Sequence, residues 1–200
     1  MDIADRISLP GFSSKLQPQR FFIALLPPLA IQDYATSVIR ELSECFQTRT
    51  AKAPPHVTLQ APFLWPLETV ASLQQSLRQV SSQHRAFPVT LSGFAAFPPR
   101  VLYLNVLKTP ELLALQTQLS QALEQIGIVD AVAQRRPFTP HLTVASRNLT
   151  RQTFRAAWSQ LESRVVNLEF IAEHLTLLLH DGQSWQIHSE FALLPAVPRD

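Results

Sequence analysis

The sequence predicts a single domain of two similar lobes, built from both strands and helices. Its 200 residues, of which 46% are apolar, suit one compact domain with a sizeable core. Helix-like and strand-like hydrophobic patterns alternate along the chain. A strand, a helix and a Pro-His-apolar-Thr-apolar strand occur once in each half. Such a repeat predicts two lobes related by approximate two-fold symmetry, each carrying its histidine motif to one shared groove.

In the first half, an apolar run at 21–26 predicts a buried strand that ends at two prolines. Over 29–47, apolar residues recur every three or four positions, which predicts an amphipathic helix. The alternating residues at 56–63 lie between prolines and indicate a short strand. A second helix is expected near 67–83.

The second half begins with strand-like segments at 87–94 and 101–106 around a Pro-Pro turn. The best marked helix follows. Thr109 suits the N-cap, Pro110 suits the first helical position, and Gly127 lies where a left-handed residue ends a helix.

The rest of the chain is expected to contain a strand at the second histidine motif, a helix near 150–163 and two strands near 168–180 and 185–194. Asp181-Gly182 predicts the turn between these last two strands. Residues 1–19 are interpreted as an N-terminal tail outside the domain, which spans 20–200.

Composition favours a cytoplasmic protein. No stretch approaches the roughly 20 apolar residues that span a bilayer, and the first residues lack the pattern of a signal peptide. The single cysteine, Cys45, has no partner for an internal disulfide and is expected to be a buried thiol on the apolar side of the first helix. The net charge of +2 is too small to indicate non-specific binding to nucleic acid. We expect a monomer that does not bind membranes.

The two histidine motifs carry the chemistry. Side chains two apart on a strand emerge on the same face, so His56 points with Thr58, and His141 points with Thr143. Cleaving a phosphodiester without a metal requires one group that takes a proton from the attacking oxygen and another that gives one to the leaving oxygen. Two opposed imidazoles, which titrate near neutrality, meet this requirement. Threonine hydroxyls beside them can donate hydrogen bonds to phosphate oxygens.

The motifs His56-Val57-Thr58-Leu59 and His141-Leu142-Thr143-Val144 resemble the signature of the 2H phosphoesterase superfamily. The 2'-5' RNA ligase-like, or cyclic phosphodiesterase, branch is the most similar. Flanking residues of that branch also have counterparts in this chain, namely Pro55, Pro62, Phe63, Phe138 and Pro140.

This resemblance covers roughly residues 20–195. It implies an α+β fold in which two antiparallel sheets frame a central cleft and helices pack outside. It also implies opening of 2',3'-cyclic phosphates of RNA ends or small nucleotides to 2'-phosphates, with no metal or other cofactor. By the resemblance, His56 and His141 are the catalytic residues, and Thr58 and Thr143 bind the phosphate.

Other candidate residues are weaker. Arg136, with Arg135, is a candidate phosphate ligand in the arginine-rich stretch 135–164, although charge runs usually face water. Phe63 and Phe138 are candidates for stacking on a nucleobase, with core packing as the alternative. Relatives often have an arginine five residues after the second histidine, where this chain has Ser146 followed by Arg147.

A third His-x-Thr-x copy at 174–177 lacks the preceding proline and has no counterpart in the repeat, so we expect no catalytic role for it. Three alternatives stay open. A zinc enzyme would use the histidines as ligands, but neither motif brings a nearby carboxylate or thiolate. A non-catalytic protein that binds RNA ends and a 2'-5' RNA ligase would both use the same cleft.

Overall fold

The computed structural model describes residues 18–129 and 137–196. Within them, strands and helices follow the order β1 (Pro18–Leu25), α1 (Leu29–Phe46), β2 (Val57–Pro66), α2 (Val70–Ser81), β3 (Phe87–Phe97), β4 (Val101–Val106), α3 (Pro110–Gln125), β5 (His141–Ala145), α4 (Arg151–Leu161), β6 (Asn167–Ala172), β7 (His174–His180) and β8 (Trp185–Ala192). The α+β prediction is confirmed. Pro18 and Gln19, which were predicted to lie in the tail, already pair with Pro66 and Trp65 in the sheet.

All eight strands form one antiparallel sheet in the order β6-β3-β4-β5-β2-β1-β7-β8. The expectation of two separate sheets therefore differs from the structure. The two motif strands, β2 and β5, pair with each other through Val57 and Leu142 and thereby join two groups of four strands. Both residues are fully buried, so the apolar residue inside each motif forms the junction.

The strands do not stay within their own half of the chain. Strand β3 pairs with β4 and β6 of the second half, whereas β7 and β8 continue the sheet outward from β1. The segment predicted as one strand over 168–180 is thus two strands separated at Glu173. Its two parts lie in different halves of the sheet, because β6 pairs with β3 and β7 pairs with β1.

The sheet has two chemically different faces. The helix face carries buried apolar residues such as Ile23, Leu59 and Val144, which form one core with the buried residues of the helices. The opposite face, called here the histidine face, carries His56, Thr58, His141 and Thr143, by the strand alternation that places Val57 and Leu142 in the core. In each motif, the histidine and the threonine therefore lie on the histidine face, while the apolar residue between them packs into the core.

Helices α1 and α3 pack behind the motif strands. Helix α1, which follows β1, contacts β5, and α3, which follows β4, contacts β2. The predicted signals of α3 are confirmed at both ends. The Thr109 hydroxyl accepts a hydrogen bond from the Leu112 amide at 3.3 Å, and Gly127 adopts a φ of 87°. The amides of Gly127 and Ile128 donate to Glu124 and Leu123 at 3.0 and 2.9 Å, which closes the helix in a Schellman arrangement.

The prediction that Cys45 is buried is wrong, because its side chain is exposed. The buried stripe of α1 consists of Ile31, Ala35, Val38 and Leu42. In the last turn, the neighbouring Phe46 packs against the core instead. Within the described part of the chain, no helix combines the length and the apolar character that a membrane span requires.

Candidate active site

The two motif histidines lie side by side at the junction of β2 and β5. His56 immediately precedes β2, and His141 is the first residue of β5. Val57 pairs with Leu142 in an antiparallel register, so one step along each strand places His56 beside Thr143 and His141 beside Thr58. The two histidines are then diagonal neighbours across the strand pair, a relation that typically separates two residues by about 7–8 Å. The structure therefore brings the four motif residues together.

Both imidazoles are held in the same way. The Nδ1 atom of His56 lies 2.7 Å from the Pro54 carbonyl oxygen, and the Nδ1 atom of His141 lies 2.7 Å from the Thr139 carbonyl oxygen. A carbonyl oxygen only accepts, so in each ring Nδ1 carries the proton and donates it. Each Nε2 is then an unprotonated acceptor in the neutral ring. In each motif, the imidazole is thus fixed by a hydrogen bond to the backbone carbonyl two residues before the histidine.

Burial lowers the pKa of His56 below the usual value of 6.5, although the hydrogen bond to the Pro54 carbonyl opposes this effect. Repulsion from the charged form of His141 lowers it further. Burial also lowers the pKa of His141, against a raising effect of its bond to the Thr139 carbonyl. Both rings therefore favour the neutral form near pH 7, and the two titrations influence each other.

Aromatic side chains support each imidazole, and they differ between the two. The ring centres of His56 and Phe22 are 4.7 Å apart. The ring centre of His141 lies 5.0 Å from that of Tyr103 and 5.2 Å from that of Phe97. The Phe97 and His141 rings meet edge to face. Burial raises the pKa of the Tyr103 hydroxyl, which keeps it protonated. None of these three aromatic residues was singled out from the sequence, because their place beside the histidines depends on strand pairing.

A small apolar cluster stabilises the loop before His56. Phe22 packs edge-on against Trp185 at 4.6 Å, and Ala51 and Ala53 of the loop pack on the same cluster. The Trp185 amide donates to the Lys52 carbonyl oxygen at 2.8 Å. Arg20 lies over the Trp185 ring, with its guanidinium carbon 5.4 Å from the ring centre. This cluster therefore anchors Ala51, Lys52 and Ala53, the residues that directly precede the Pro54 carbonyl.

A cavity of about 100 Å³ opens beside His56 and is also lined by Thr143 and Ser146. Its lining therefore combines His56 with Thr143 of the other motif strand. Ser146 thus places a short hydroxyl side chain at the border of this cavity. Larger cavities, such as one of about 450 Å³ around Phe63 and Trp65, contain neither motif histidine. Volume therefore does not mark the site in this protein.

The remaining predicted ligands are not brought to the histidines by the described contacts. Phe63 stacks on the fully buried Phe21 at 6.3 Å, and Phe138 also packs against the main core. These contacts favour the alternative of core packing, and the base-stacking role of the two residues stays a prediction. Arg135 and Arg136 lie outside the described residues, so the role of Arg136 stays a prediction.

Two other arginines of the stretch 135–164, Arg147 and Arg164, lie within the described residues, and their environments differ from each other. Arg147 is exposed, and its backbone forms an isolated bridge with Arg49. Arg164 makes two hydrogen bonds to the carboxylate of Glu41 at 2.6 and 2.9 Å. Arg164 therefore joins α1 to the end of α4.

The third His-x-Thr-x copy lies apart from the site. His174 begins β7 and is exposed, and Thr176 is buried opposite Ala24. Leu175 and Leu177 face the main core, as the sequence predicted. Across residues 18–129 and 137–196, no three side chains of His, Cys, Asp or Glu form a group that could hold a metal ion. Metal independence nevertheless stays a prediction.

Comparison with known families identifies this arrangement. A model of the 2'-5' RNA ligase superfamily matches residues 27–184, most of the chain. The chain belongs to the 2'-5' RNA ligase superfamily. The match includes both His-x-Thr-x motifs and confirms the resemblance on which the site prediction relied.

Individual known proteins are similar to this chain over nearly their whole length. A "Putative phosphoesterase" of Geobacillus kaustophilus is 29% identical over 176 residues, which cover 86% of this chain and 95% of the relative. A protein of the same name from Oceanobacillus iheyensis is 28% identical, covering 87% of this chain and 98% of the relative. The crystal structure of Escherichia coli LigT in complex with 3'-AMP shares the fold, with a TM-score of 0.66 and 20% identity over 88% of this chain and 99% of that one.

Proposed function

We propose that this protein is a phosphodiesterase that opens 2',3'-cyclic phosphates of RNA ends or small nucleotides and releases 2'-phosphates. The observation that carries the proposal is the matched pair of imidazoles. Each has its Nδ1 proton on a backbone carbonyl, and each leaves Nε2 available for proton transfer. The two arise from adjacent paired strands of one sheet face.

In the proposed reaction, water attacks the phosphorus atom of the cyclic phosphate. One imidazole accepts a proton from the water at Nε2, and the bond between phosphorus and the 3' oxygen breaks. The other imidazole, protonated at Nε2, donates that proton to the 3' oxygen. The products are a free 3' hydroxyl and a 2'-phosphate. The assignment of acid and base depends on which end of the site holds the ribose.

The charge that develops on the phosphate oxygens needs hydrogen-bond donors in the transition state. Thr58 and Thr143 are half-buried on the histidine face, and each lies beside the histidine of the other motif. We propose that their hydroxyls donate to the two non-bridging oxygens. Arg136 is proposed as an additional cationic ligand.

The comparisons support a nucleotide substrate without specifying it. LigT has been crystallised with 3'-AMP, and the related bacterial proteins carry a phosphoesterase name. Joining of 2'-5' ends is the reverse direction of the same chemistry, and binding of RNA ends without turnover uses the same groove. The approximate two-fold relation of the lobes, the monomeric state, the cytoplasmic location and the domain bounds 20–200 likewise stay predictions.

The direct test is turnover of a nucleoside 2',3'-cyclic phosphate in the presence of a strong chelator, with the product identified by chromatography. We expect the wild-type protein to release the 2'-monophosphate. His56→Ala and His141→Ala should each lower kcat by about 10²–10⁴, the usual contribution of a general acid or base. His174→Ala is the matched control, since this exposed histidine has the same His-x-Thr context, and it should retain full activity.

Full activity in either motif variant would refute the paired mechanism. Loss of activity on chelation would favour the zinc alternative. Binding of the cyclic phosphate without any product would identify a binding protein.

A further inference from the structure

The two ends of the histidine face offer different aromatic surfaces. Beside His56, Phe22 is 3% exposed because Trp185 covers it. Beside His141, Phe97 is 38% exposed although its ring contacts both His141 and Tyr103. Among the described aromatic residues that contact either imidazole, Phe97 alone is exposed. An open aromatic ring is therefore present at the His141 end and absent at the His56 end.

Strand pairing and a turn hydrogen bond fix the position of Phe97. It is the last residue of β3, and it pairs with Val101 of β4 across the turn. Its carbonyl oxygen accepts a hydrogen bond from the Arg100 amide at 2.9 Å. Tyr103, whose ring centre is 4.6 Å from that of Phe97, is 5% exposed and backs the exposed ring from within the sheet.

We propose that Phe97 is the residue on which the nucleobase of the substrate stacks, so that the nucleoside lies at the His141 end of the site. This inference rests on the proposed function for the choice of a nucleotide ligand. The Phe97 ring is open to solvent and contacts the imidazole of His141, so a flat group of a ligand held at that imidazole can lie against it. Stacking on a single ring accepts any base, because every base offers a π-face. Phe97 thus joins Phe63 and Phe138 as a candidate for base stacking, and it is the one of the three whose ring contacts a motif histidine in the described structure.

The same turn also carries a cationic side chain. Arg100 is exposed beside Phe97, and within the described residues no carboxylate forms a salt bridge with it. A positive charge next to a stacking ring suits a nucleotide chain, whose next phosphate follows the stacked base. The substrate class favoured by this end of the site is therefore a nucleoside phosphate rather than a cyclic phosphate without a base.

The test is equilibrium binding, measured by titration calorimetry, of adenosine 2'-monophosphate and of glycerol 2-phosphate. Both ligands carry a phosphate on a secondary alcohol, and only the first carries a base. The wild-type protein should bind the adenosine ligand more tightly. Phe97→Ala and Phe97→Leu should weaken its binding at least about fivefold, the lower end of what base stacking contributes, and leave glycerol 2-phosphate binding unchanged. Phe97→Trp, which keeps an aromatic ring at this position, should bind the adenosine ligand about as tightly as the wild-type protein does.

Leu64→Ala is the matched control, because Leu64 is 61% exposed and pairs with Arg20 in the other half of the sheet. It should bind both ligands as the wild-type protein does. Equal weakening of both ligands in the Phe97 variants would show that Phe97 only supports His141, and would overturn the inference. So would unchanged binding of both, or a selective loss of adenosine binding in Leu64→Ala. These measurements need no turnover, so they separate this inference from failure of the proposed reaction.

Discussion

Burial of the two imidazoles determines how the site responds to pH. Burial lowers the pKa of both rings below 6.5 in the free protein. The base must be neutral, so the rate rises as pH rises through its pKa. The acid must be protonated, so the rate falls as pH rises through its pKa.

We therefore predict a bell-shaped profile of kcat/KM with its maximum below pH 6.5, since kcat/KM reports the free protein. The bound phosphate is negative and raises the pKa of both imidazoles, so kcat should peak at a higher pH than kcat/KM. Steady-state kinetics from pH 4.5 to about 9 measures both profiles. A flat profile, or a kcat maximum on the acid side of the kcat/KM maximum, would contradict paired acid and base catalysis.

The two motif threonines provide a second prediction at this scale. Valine has the shape of threonine without its hydroxyl, so Thr58→Val and Thr143→Val should each lower kcat by about 10², as expected for a lost transition-state donor. Serine variants should retain most of the activity. Thr176→Val makes the same change in the third motif copy and should not alter kcat. Valine variants with wild-type kinetics would exclude the hydroxyls from phosphate binding.

Individual residues were predictable where the information is local. The alternation of His56, Val57 and Thr58 along one strand is enough to separate the polar pair from the core residue. Tyr103 and Phe97 were not predictable in the same way, because β4 and β3 bring them to His141 only after pairing in the sheet. The packing of Phe63 was not predictable either, since proximity in sequence does not reveal that it pairs with the buried Phe21.

At the scale of elements, most helices and strands followed from their hydrophobic periods and end signals. Helix α3 illustrates this, because its N-cap, its first-turn proline and its terminal glycine were all readable. The strand order was not readable, since β3 and β7 each pair in the half of the sheet opposite to the adjacent part of the chain. The pairing of β3 and β7 in the opposite half of the sheet depends on contacts between distant parts of the chain, and the sequence repeat does not predict these contacts.

The cap of α3 gives a prediction at the same scale. Thr109→Ala removes the side-chain acceptor for the Leu112 amide and should lower the free energy of unfolding by about 1 kcal/mol. Urea denaturation followed by circular dichroism measures the change. Thr117→Ala, at an exposed position inside the same helix, should cause no loss because alanine favours helix. Equal loss in the two variants would contradict a capping role.

At the scale of the whole molecule, the function depends on the junction between the two groups of four strands. Val57 and Leu142 are fully buried and pair at the point where each motif begins. Helices α1 and α3 cross over behind it, so each packs against the motif strand of the other half. The pairing that joins the two groups of strands is therefore the same pairing that brings the two histidines to one place.

The most direct test is nitrogen-15 NMR of the six histidine side chains during titration with adenosine 2'-monophosphate. We predict that the Nε2 signals of His56 and His141 shift together with one dissociation constant, while both Nδ1 atoms stay protonated and His174 does not respond. A shift of only one motif histidine, or different dissociation constants for the two, would contradict a shared phosphate site.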